Sequence, residues 1–132
     1  MRFALTTVLV AGLLLTATPA SAVHRPCNYP HTVRGNKMTV SCFAKRMNVG
    51  PDGARAIANR ESSFNEFAWN DASGAAGLYQ HLIKYWNSRV WHYRRALNKF
   101  HVKHRSWHNP RAQAVVTFKM VKAQGGWCPA WC

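Results

Sequence analysis

Apolar residues recur along this chain at the spacing that places them on one face of a helix. The first such pattern predicts a helix that begins at Asn36 and ends before Gly50. Its inward-facing positions are Val40, Phe43, Ala44 and Met47. A second helix is predicted from Pro51, because proline suits the first helical position. The apolar stripe of this helix contains Ala54, Ile57 and Ala58.

The stripe of the second helix also contains a carboxylate. Seven residues after Ala54 it reaches Glu61, in the last turn before the helix ends. Acidic side chains are almost never fully buried without a partner. Arg60 is adjacent in the sequence, but we expect it to point to another part of the helix surface. Glu61 is therefore either a catalytic group or a partly buried residue that ties down a neighbouring loop.

The middle of the chain predicts turns. The stretch NDASGAAG, residues 70–77, contains two glycines that can take positive φ, which predicts a loop or a short hairpin. A short helix is expected to follow, with Leu78, Leu82 and Tyr85 inward. Another helix is expected from Ser88 to Phe100, with a basic outer face. Its inward positions are Val90, Tyr93, Leu97 and Phe100.

The last helical pattern has both end signals. Asn109 is a good N-cap, Pro110 follows it at the first helical position, and two glycines at 125–126 end the helix. The predicted core stripe is Ala112, Val115, Val116, Met120 and Ala123. These patterns together predict one small, mainly α domain with at most a small β element around residues 67–80.

The N-terminal residues resemble a secretion signal. Arg2 precedes an apolar run over 4–15, and ATPASA ends in the small-x-small pattern of a cleavage site. The run is shorter than the ~20 residues of a membrane-spanning helix. We expect cleavage after Ala22 and a secreted, extracytoplasmic protein; an uncleaved N-terminal anchor is the alternative. The predicted organisation is a signal peptide over 1–22, an irregular arm over 23–35 and a domain over 36–132.

The net charge of the chain indicates which environments and partners suit it. The sequence has 18 Lys and Arg residues and 4 Asp and Glu residues, a net charge of +14. Such a charge indicates polyanionic surroundings, and export favours an anionic cell wall over nucleic acid. Basic and aromatic residues alternate over 84–107, but no nucleic-acid-binding motif is present. We expect a monomer without cofactor or metal.

Four cysteines lie near the two ends of the secreted chain. They are Cys27, Cys42, Cys128 and Cys132. An even count in a small exported protein predicts two disulfides. Either the bonds join the two ends of the chain, or they are local, with Cys27 bonded to Cys42 and Cys128 to Cys132. A zinc site is less favoured, because CPAWC has no neighbouring pair of histidines at ligand spacing.

The candidate chemistry rests on the few carboxylates. A general acid needs a setting that disfavours its charged form, and an inward-facing Glu61 meets that condition. Glu66 is expected to be a solvated surface charge. Asp71 is expected to form a local Asx turn, although a second carboxylate that positions water is the alternative. The chain has no GxSxG, GxxxxGK[ST] or HExxH motif.

The stretch RESSFNEFAWNDASGAAGLYQH, residues 60–81, resembles the signature of the transglycosylase SLT and goose-type lysozyme-like superfamily. The positions that match are Glu61, Ser62, Phe64, Ala68, Asn70, Ser73, Gly74, Ala75, Gly77, Leu78 and Gln80. The NPRAQA stretch, 109–114, is also similar to a later helix of that family. The resemblance covers most of residues 50–127 and implies an α+β lysozyme-like fold with a short β element after the helix of the catalytic Glu.

The resemblance implies a bacteriolytic glycosidase. Glu61 would be the acid that cleaves the β-1,4 bond between N-acetylmuramic acid and N-acetylglucosamine in peptidoglycan. In lytic transglycosylases one Glu performs both steps and the product is a 1,6-anhydro sugar; in lysozymes Asp71 would be the only nearby candidate to hold water. The positions expected to bind the glycan are Ser73, Gly77, Leu78, Tyr79, Gln80, His81, Trp69 and Trp86.

The chain departs from the family pattern at several positions. Glu66 replaces a proline, His81 directly follows Gln80, and Gln113 stands where the family favours asparagine. Phe118 stands where transglycosylases often have a tyrosine. These departures bear on the choice between transglycosylase and lysozyme. The alternative function is a catalytically weak, cationic protein that binds the cell wall or a membrane.

Overall fold

The structure is a computed structural model that describes residues 27–128, 130 and 131. It contains helices α1 (Val33–Arg46), α2 (Pro51–Ser62), α3 (Trp86–His92), α4 (Arg94–Lys99) and α5 (Pro110–Ala123). Strands β1 (Trp69–Asn70), β2 (Ala75–Ala76) and β3 (His81–Leu82) lie between α2 and a 3₁₀ helix, Ile83–Tyr85. The mainly α class with a small β element is confirmed. The predicted signal peptide and its cleavage site lie outside the described residues.

Helix α1 begins three residues before the predicted start. The Thr32 hydroxyl accepts the Gly35 backbone N–H at 3.0 Å, so the helix is capped at Thr32 and starts at Val33. Residues 33–35, which were assigned to the irregular arm, are therefore helical. The predicted inward positions of this helix, Val40, Phe43, Ala44 and Met47, are all buried.

The helix predicted over 88–100 is interrupted. It is divided at Tyr93 into α3 and α4. The Arg94 guanidinium donates to the Trp91 carbonyl at 2.9 Å, which satisfies an acceptor at the end of α3. The residues before the break, Val90 to Tyr93, include β-branched and aromatic side chains that favour helices only weakly.

The three strands form an antiparallel sheet in the order β1-β2-β3. Trp69 pairs with Ala76, and Ala76 pairs in turn with His81. The short helix predicted to contain Leu78 and Leu82 is wrong, because Leu78 lies in a turn and Leu82 lies in β3. Only the 3₁₀ turn at Tyr85 has helical form in that segment.

Helix α5 is the centre of the core. It packs against α1, and α1 packs against α2. Side chains are buried on most of its circumference, including the polar Gln113 and Thr117. The predicted stripe is therefore too narrow, and Ala123 at its end is exposed. The predicted cap is confirmed: the Asn109 side-chain oxygen accepts the Ala112 N–H at 3.0 Å.

One disulfide is local. Cys27 bonds to Cys42 across a sequence separation of 15 residues, which attaches the segment before α1 to the helix. The alternative in which Cys27 bonds to a cysteine near the other end of the chain is therefore wrong. Cys128 is also disulfide-bonded, and Cys132 lies outside the described residues. Within the described ranges no helix is long and apolar enough to cross a membrane.

Two glycines of the resembled signature provide a matched test of packing. We predict that Gly77→Ala lowers the free energy of unfolding by about 3 kcal/mol or more, as for other strained and overpacked sites. Gly77 has φ +81°, and an added Cβ would lie 2.2 Å from the Gln113 side-chain nitrogen. Gly74 has φ +68° with nothing within 4 Å of an added Cβ, so Gly74→Ala adds only about 1 kcal/mol of backbone strain.

Urea denaturation of both variants measures the difference. Equal losses in the two variants would mean that the close approach of Gly77 to Gln113 is unimportant.

Candidate functional site

Glu61 lies in the last turn of α2 and is partly enclosed. About a quarter of its side chain, 24%, is exposed. Its Oε1 accepts hydrogen bonds from Arg60 Nη2 at 2.9 Å and Nε at 3.2 Å. The expectation that Arg60 points elsewhere is wrong. Its long side chain turns back to Glu61, and Nη2 also donates to the Trp131 backbone carbonyl.

The end of α2 is attached to the turn that follows β2. The Ser62 hydroxyl lies 3.0 Å from the Ala58 carbonyl oxygen and 3.1 Å from the Leu78 carbonyl oxygen. Ser63 and Phe64 both take positive φ, 50° and 61°, so the chain reverses immediately after Glu61. Phe64 is buried by this reversal. Ser62 and Phe64, two residues that match the signature, therefore fix the end of the helix that carries Glu61. Neither forms a described hydrogen bond to Glu61 itself.

Several residues expected to bind the glycan lie in the core. Leu78, Tyr79, His81 and Trp86 are all 3% exposed or less. The Tyr79 hydroxyl donates to the Ala54 carbonyl at 3.2 Å, and burial raises its pKa. The Trp86 indole donates to the Arg105 carbonyl at 2.8 Å. These four side chains pack the domain and offer no surface to a ligand, which corrects the expectation. Gly77, from the same set, is enclosed by Gln113.

His81 is a buried, neutral histidine. The Arg89 guanidinium lies 2.8 Å from His81 Nδ1 and can only donate, so Nδ1 is the acceptor. Nε2 then carries the proton and donates to the Thr117 hydroxyl oxygen at 2.8 Å. Burial, and secondly the charge of Arg89, lower the pKa of His81 to about 3. The ring therefore links β3 to α3 and α5.

The accessible residues of the predicted site surround β1 and the turn after it. Trp69 is 52% exposed, and its indole nitrogen donates to Asp71 Oδ1 at 2.8 Å. The expected Asx turn is formed by Asn70 instead of Asp71, because the Asn70 side-chain oxygen accepts the backbone N–H groups of residues 72 and 73. Ser73 is exposed. Gln80 is half-buried and its amide donates to the Gly77 carbonyl at 3.1 Å.

Glu66 is not the solvated surface charge that the sequence suggests. Only 4% of the residue is exposed. Asn36 in α1 donates to its Oε2, and His31 Nδ1 lies 3.2 Å from Oε1. The same Asn36 amide donates to the Phe64 carbonyl at 2.8 Å. Glu66 therefore holds the loop after α2 against α1, at the position where the resembled family has a proline.

An aromatic surface next to β1 was not predicted. It consists of Phe67, Trp69, Trp107 and His108. The Phe67 ring stacks on His108 at 5.4 Å, and Trp69 lies 6.0 Å from Trp107. Phe67 and Trp69 are both more than half exposed. The alternation of basic and aromatic residues over 84–107 was the available signal, but it did not identify which rings would reach β1.

Three cavities among the described residues have volumes of about 750, 730 and 320 Å³, and Glu61, Asp71 and Gln80 line none of the three. Glu61 is bordered by Arg60, which also binds the C-terminal segment at Trp131.

Comparison of the chain with protein-family models, with curated proteins and with solved structures gives no match. In the part of the chain that the structure describes, no group of three or more His, Cys, Asp and Glu side chains is placed to hold a metal ion. The function is therefore argued from the residues themselves.

The burial of His81 predicts a loss of stability in acid. Its folded-state pKa, about 3, is below the ordinary value of 6.5. Between those values the unfolded chain binds a proton that the folded chain does not, so stability rises with pH. The contribution of neutral His81 to the free energy of unfolding is complete above about pH 6.5. It falls by up to about 1.4 kcal/mol per pH unit as the pH drops toward 3.

Urea denaturation from pH 4 to pH 7.5 measures this slope. A His81→Gln variant has no titrating group at the site. Its free energy of unfolding should therefore vary less steeply with pH, by the amount that one bound proton contributes. An unchanged slope would show that His81 does not titrate in this window.

Proposed function

We propose that this protein is a secreted, peptidoglycan-cleaving glycosidase in which Glu61 is the general acid and base. The observation that carries the proposal is the environment of its four Asp and Glu side chains. Asp71 is exposed and bonded to Trp69. Asp52 has 94% of its side chain exposed and pairs with Arg55. Glu66 is enclosed by Asn36 and His31. Glu61 alone is both partly desolvated and open to a ligand.

The position of Glu61 supports the same proposal. It ends α2 at the place that the resembled lysozyme-like signature gives to its catalytic acid, and the matched Ser62 and Phe64 attach that helix end to the rest of the domain. The small sheet follows directly, as the resemblance implies. The proposed fold is therefore lysozyme-like, with Glu61 at the junction of the helical part and the sheet.

The first proposed step is proton donation. Protonated Glu61 gives its proton to the glycosidic oxygen, the bond between that oxygen and the muramyl C1 breaks, and the N-acetylglucosamine side leaves as an alcohol. The pairing of Arg60 with Glu61 satisfies an ionised carboxylate. Donation therefore requires that the glycan displace Arg60, whose half-exposed side chain then leaves both Glu61 and the Trp131 carbonyl.

The second proposed step uses the Glu61 carboxylate that proton donation leaves. Glu61 removes the proton from the muramyl 6-hydroxyl, whose oxygen bonds to C1 and closes a 1,6-anhydro ring. This restores the protonated acid and needs no second carboxylate. Asp71 is exposed and bonded to Trp69, so its arrangement fits a structural role in the loop. We therefore favour the lytic transglycosylase reaction over the lysozyme reaction, in which water replaces the 6-hydroxyl.

The aromatic surface supplies a place for sugar rings. Trp69 and Phe67 present exposed faces beside β1, and Ser73 and Asn70 provide polar groups on the same loop. Flat aromatic faces pack against the apolar faces of sugars. The net charge of the chain would retain it on anionic wall polymers, an attraction that salt weakens.

Product analysis tests the assignment of Glu61. We predict that Glu61→Gln lowers the rate of peptidoglycan cleavage by about 100-fold or more, because an amide cannot donate the proton. Asp71→Asn is the matched control, since it removes one carboxylate charge from the exposed loop and should retain activity within about threefold. Mass spectrometry of the soluble fragments should show anhydromuropeptides.

Each other outcome contradicts a specific part of the proposal. Reducing muropeptides together with a large loss in Asp71→Asn would identify a lysozyme that uses Asp71. Equal cleavage by wild type and Glu61→Gln would remove Glu61 from the mechanism. Thermal unfolding of both variants must match wild type for the comparison to stand.

The second candidate function is a cationic wall-binding or membrane-binding protein with little catalysis. The observation that favours it is the placement of the described cavities on cationic surfaces away from Glu61. Trp91 adds an exposed aromatic ring, 66% accessible, with the Arg94 guanidinium 4.3 Å from its centroid. Killing or binding of cells without release of any glycan fragment would support this function over cleavage.

A further inference from the structure

The C-terminal end of α1 encloses a cationic cavity together with α4 and α5. Its volume is about 750 Å³. Five lining residues are lysines or arginines: Arg46, Arg95, Lys99, Lys119 and Lys122. Among the described residues, no Asp or Glu lines the cavity. The lining that the structure describes is therefore strongly basic.

A neighbouring arginine, Arg111, is partly buried close to Arg46 of this lining. Arg111, in the first turn of α5, donates to the Phe100 carbonyl at 3.2 Å. Burial, and secondly the charge of Arg46, lower the pKa of Arg111. Repulsion between like charges in a partly buried region costs free energy, and a bound anion reduces that cost.

The aromatic rings of the cavity are already engaged by protein. Phe100 packs edge-on with Phe43 at 5.6 Å, and the Arg46 guanidinium lies 5.2 Å from the Phe100 ring centroid. Tyr93 contacts His92 at 4.6 Å. Proteins that bind single-stranded nucleic acid stack the bases on aromatic faces. Five basic side chains line this cavity, and its Phe100 ring already packs against Phe43 and Arg46, so the lining fits phosphates better than bases.

A second cavity extends the cationic surface along α1. Its volume is about 730 Å³, and Arg46 lines both cavities. Arg34, Lys37 and Lys45 also line it. The two cavities share Arg46, and this cationic track presents more basic side chains than one phosphate group engages. A linear polymer with charges at regular intervals can engage both cavities.

We propose that these two cavities bind a polyol-phosphate polymer, the phosphodiester chain of an anionic cell wall. Arg95, Lys99 and Lys119 contact its phosphates in the first cavity, and the basic residues of α1 continue the track. Glu61 lines neither cavity. The site therefore retains the protein on the wall independently of glycan cleavage, and it goes beyond the proposed reaction.

Binding of purified poly(glycerol phosphate) to the disulfide-bonded protein tests the site. Titration calorimetry at several salt concentrations compares wild type with a Lys99→Gln/Lys119→Gln variant. The control is Lys84→Gln/Lys103→Gln, which removes the same two charges from exposed residues that line neither cavity. Each phosphate contact contributes about 0.7 to the magnitude of the slope of log K against log salt concentration. We therefore expect the loss of two contacts in the first variant to lower that magnitude by about 1.4.

The affinity should decrease in parallel, by about tenfold near 0.05 M salt for the cavity variant and by less than about threefold for the control. Equal losses in the two variants would overturn the site, because net charge alone would then explain binding. Tighter binding of single-stranded DNA, or of vesicles of anionic phospholipid, with the same dependence on Lys99 and Lys119, would overturn the assigned polymer.

Two further measurements keep the test decisive. Glu61→Gln should bind the polymer with the same affinity as wild type. The binding test therefore stands even if the proposed glycan cleavage is not observed. If the double variant does not fold by circular dichroism, the single Lys99→Gln variant replaces it, with about half the change in slope. No change in that variant would also overturn the proposal.

Discussion

The fold depends on the contact between helix α5 and the segment 77–81. Gln113 and Thr117 are one helical turn apart, and they bind Tyr79 N–H at 3.3 Å and His81 Nε2 at 2.8 Å. Between the two contacts Gln80 takes positive φ, 48°, and the two bonds together hold the Tyr79 backbone and the His81 ring against α5. Both polar side chains are fully buried. Sliding the segment by one residue would break both bonds in the core and move β3 away from β2.

This contact explains why the segment after β2 has its composition. Gly77 lets the backbone approach Gln113, and Leu78 and Tyr79 then enter the core. Trp131 closes the same region, since its indole donates to the Tyr79 carbonyl at 3.0 Å. Because the Trp131 carbonyl also accepts from Arg60, the C-terminal segment connects the core to the side chain that pairs with Glu61. The position of Glu61 therefore depends on packing more than 50 residues away in the sequence.

The sequence predicted the parts of the fold that local signals control. Helices α2 and α5 begin at prolines as predicted, and the centres of their stripes, at Ala58 and Val115, are buried. The break at Tyr93 was missed because periodicity continues across it. Segment 78–82 was wrongly predicted as helical, since Leu78, Leu82 and Tyr85 mimic a helical spacing while the hydrogen bonds of β3 come from β2.

The candidate site was harder to predict, because the environment of a charge is set by distant residues. Glu66 is buried by Asn36, which precedes it by 30 residues. Glu61 was predicted on an apolar stripe, and its pairing with Arg60, which also binds the Trp131 carbonyl, was not foreseen. His81 is adjacent to the predicted glycan-binding residues, and only its bonds to Thr117 and Arg89 show that it belongs to the core. A spacing pattern identifies neighbours within a helix and cannot identify partners across the domain.

The exposed turn between β1 and β2 has a consequence for how this scaffold can change. The residues of 70–74 are bonded mainly to one another through Asn70, and Gly74 has open space around it. The core contacts of Gly77 and Tyr79 begin only after β2. Substitutions and insertions in this turn are therefore separated from the residues that determine folding. The turn is therefore a surface on which ligand preference can diversify while the buried half of the same motif stays unaltered.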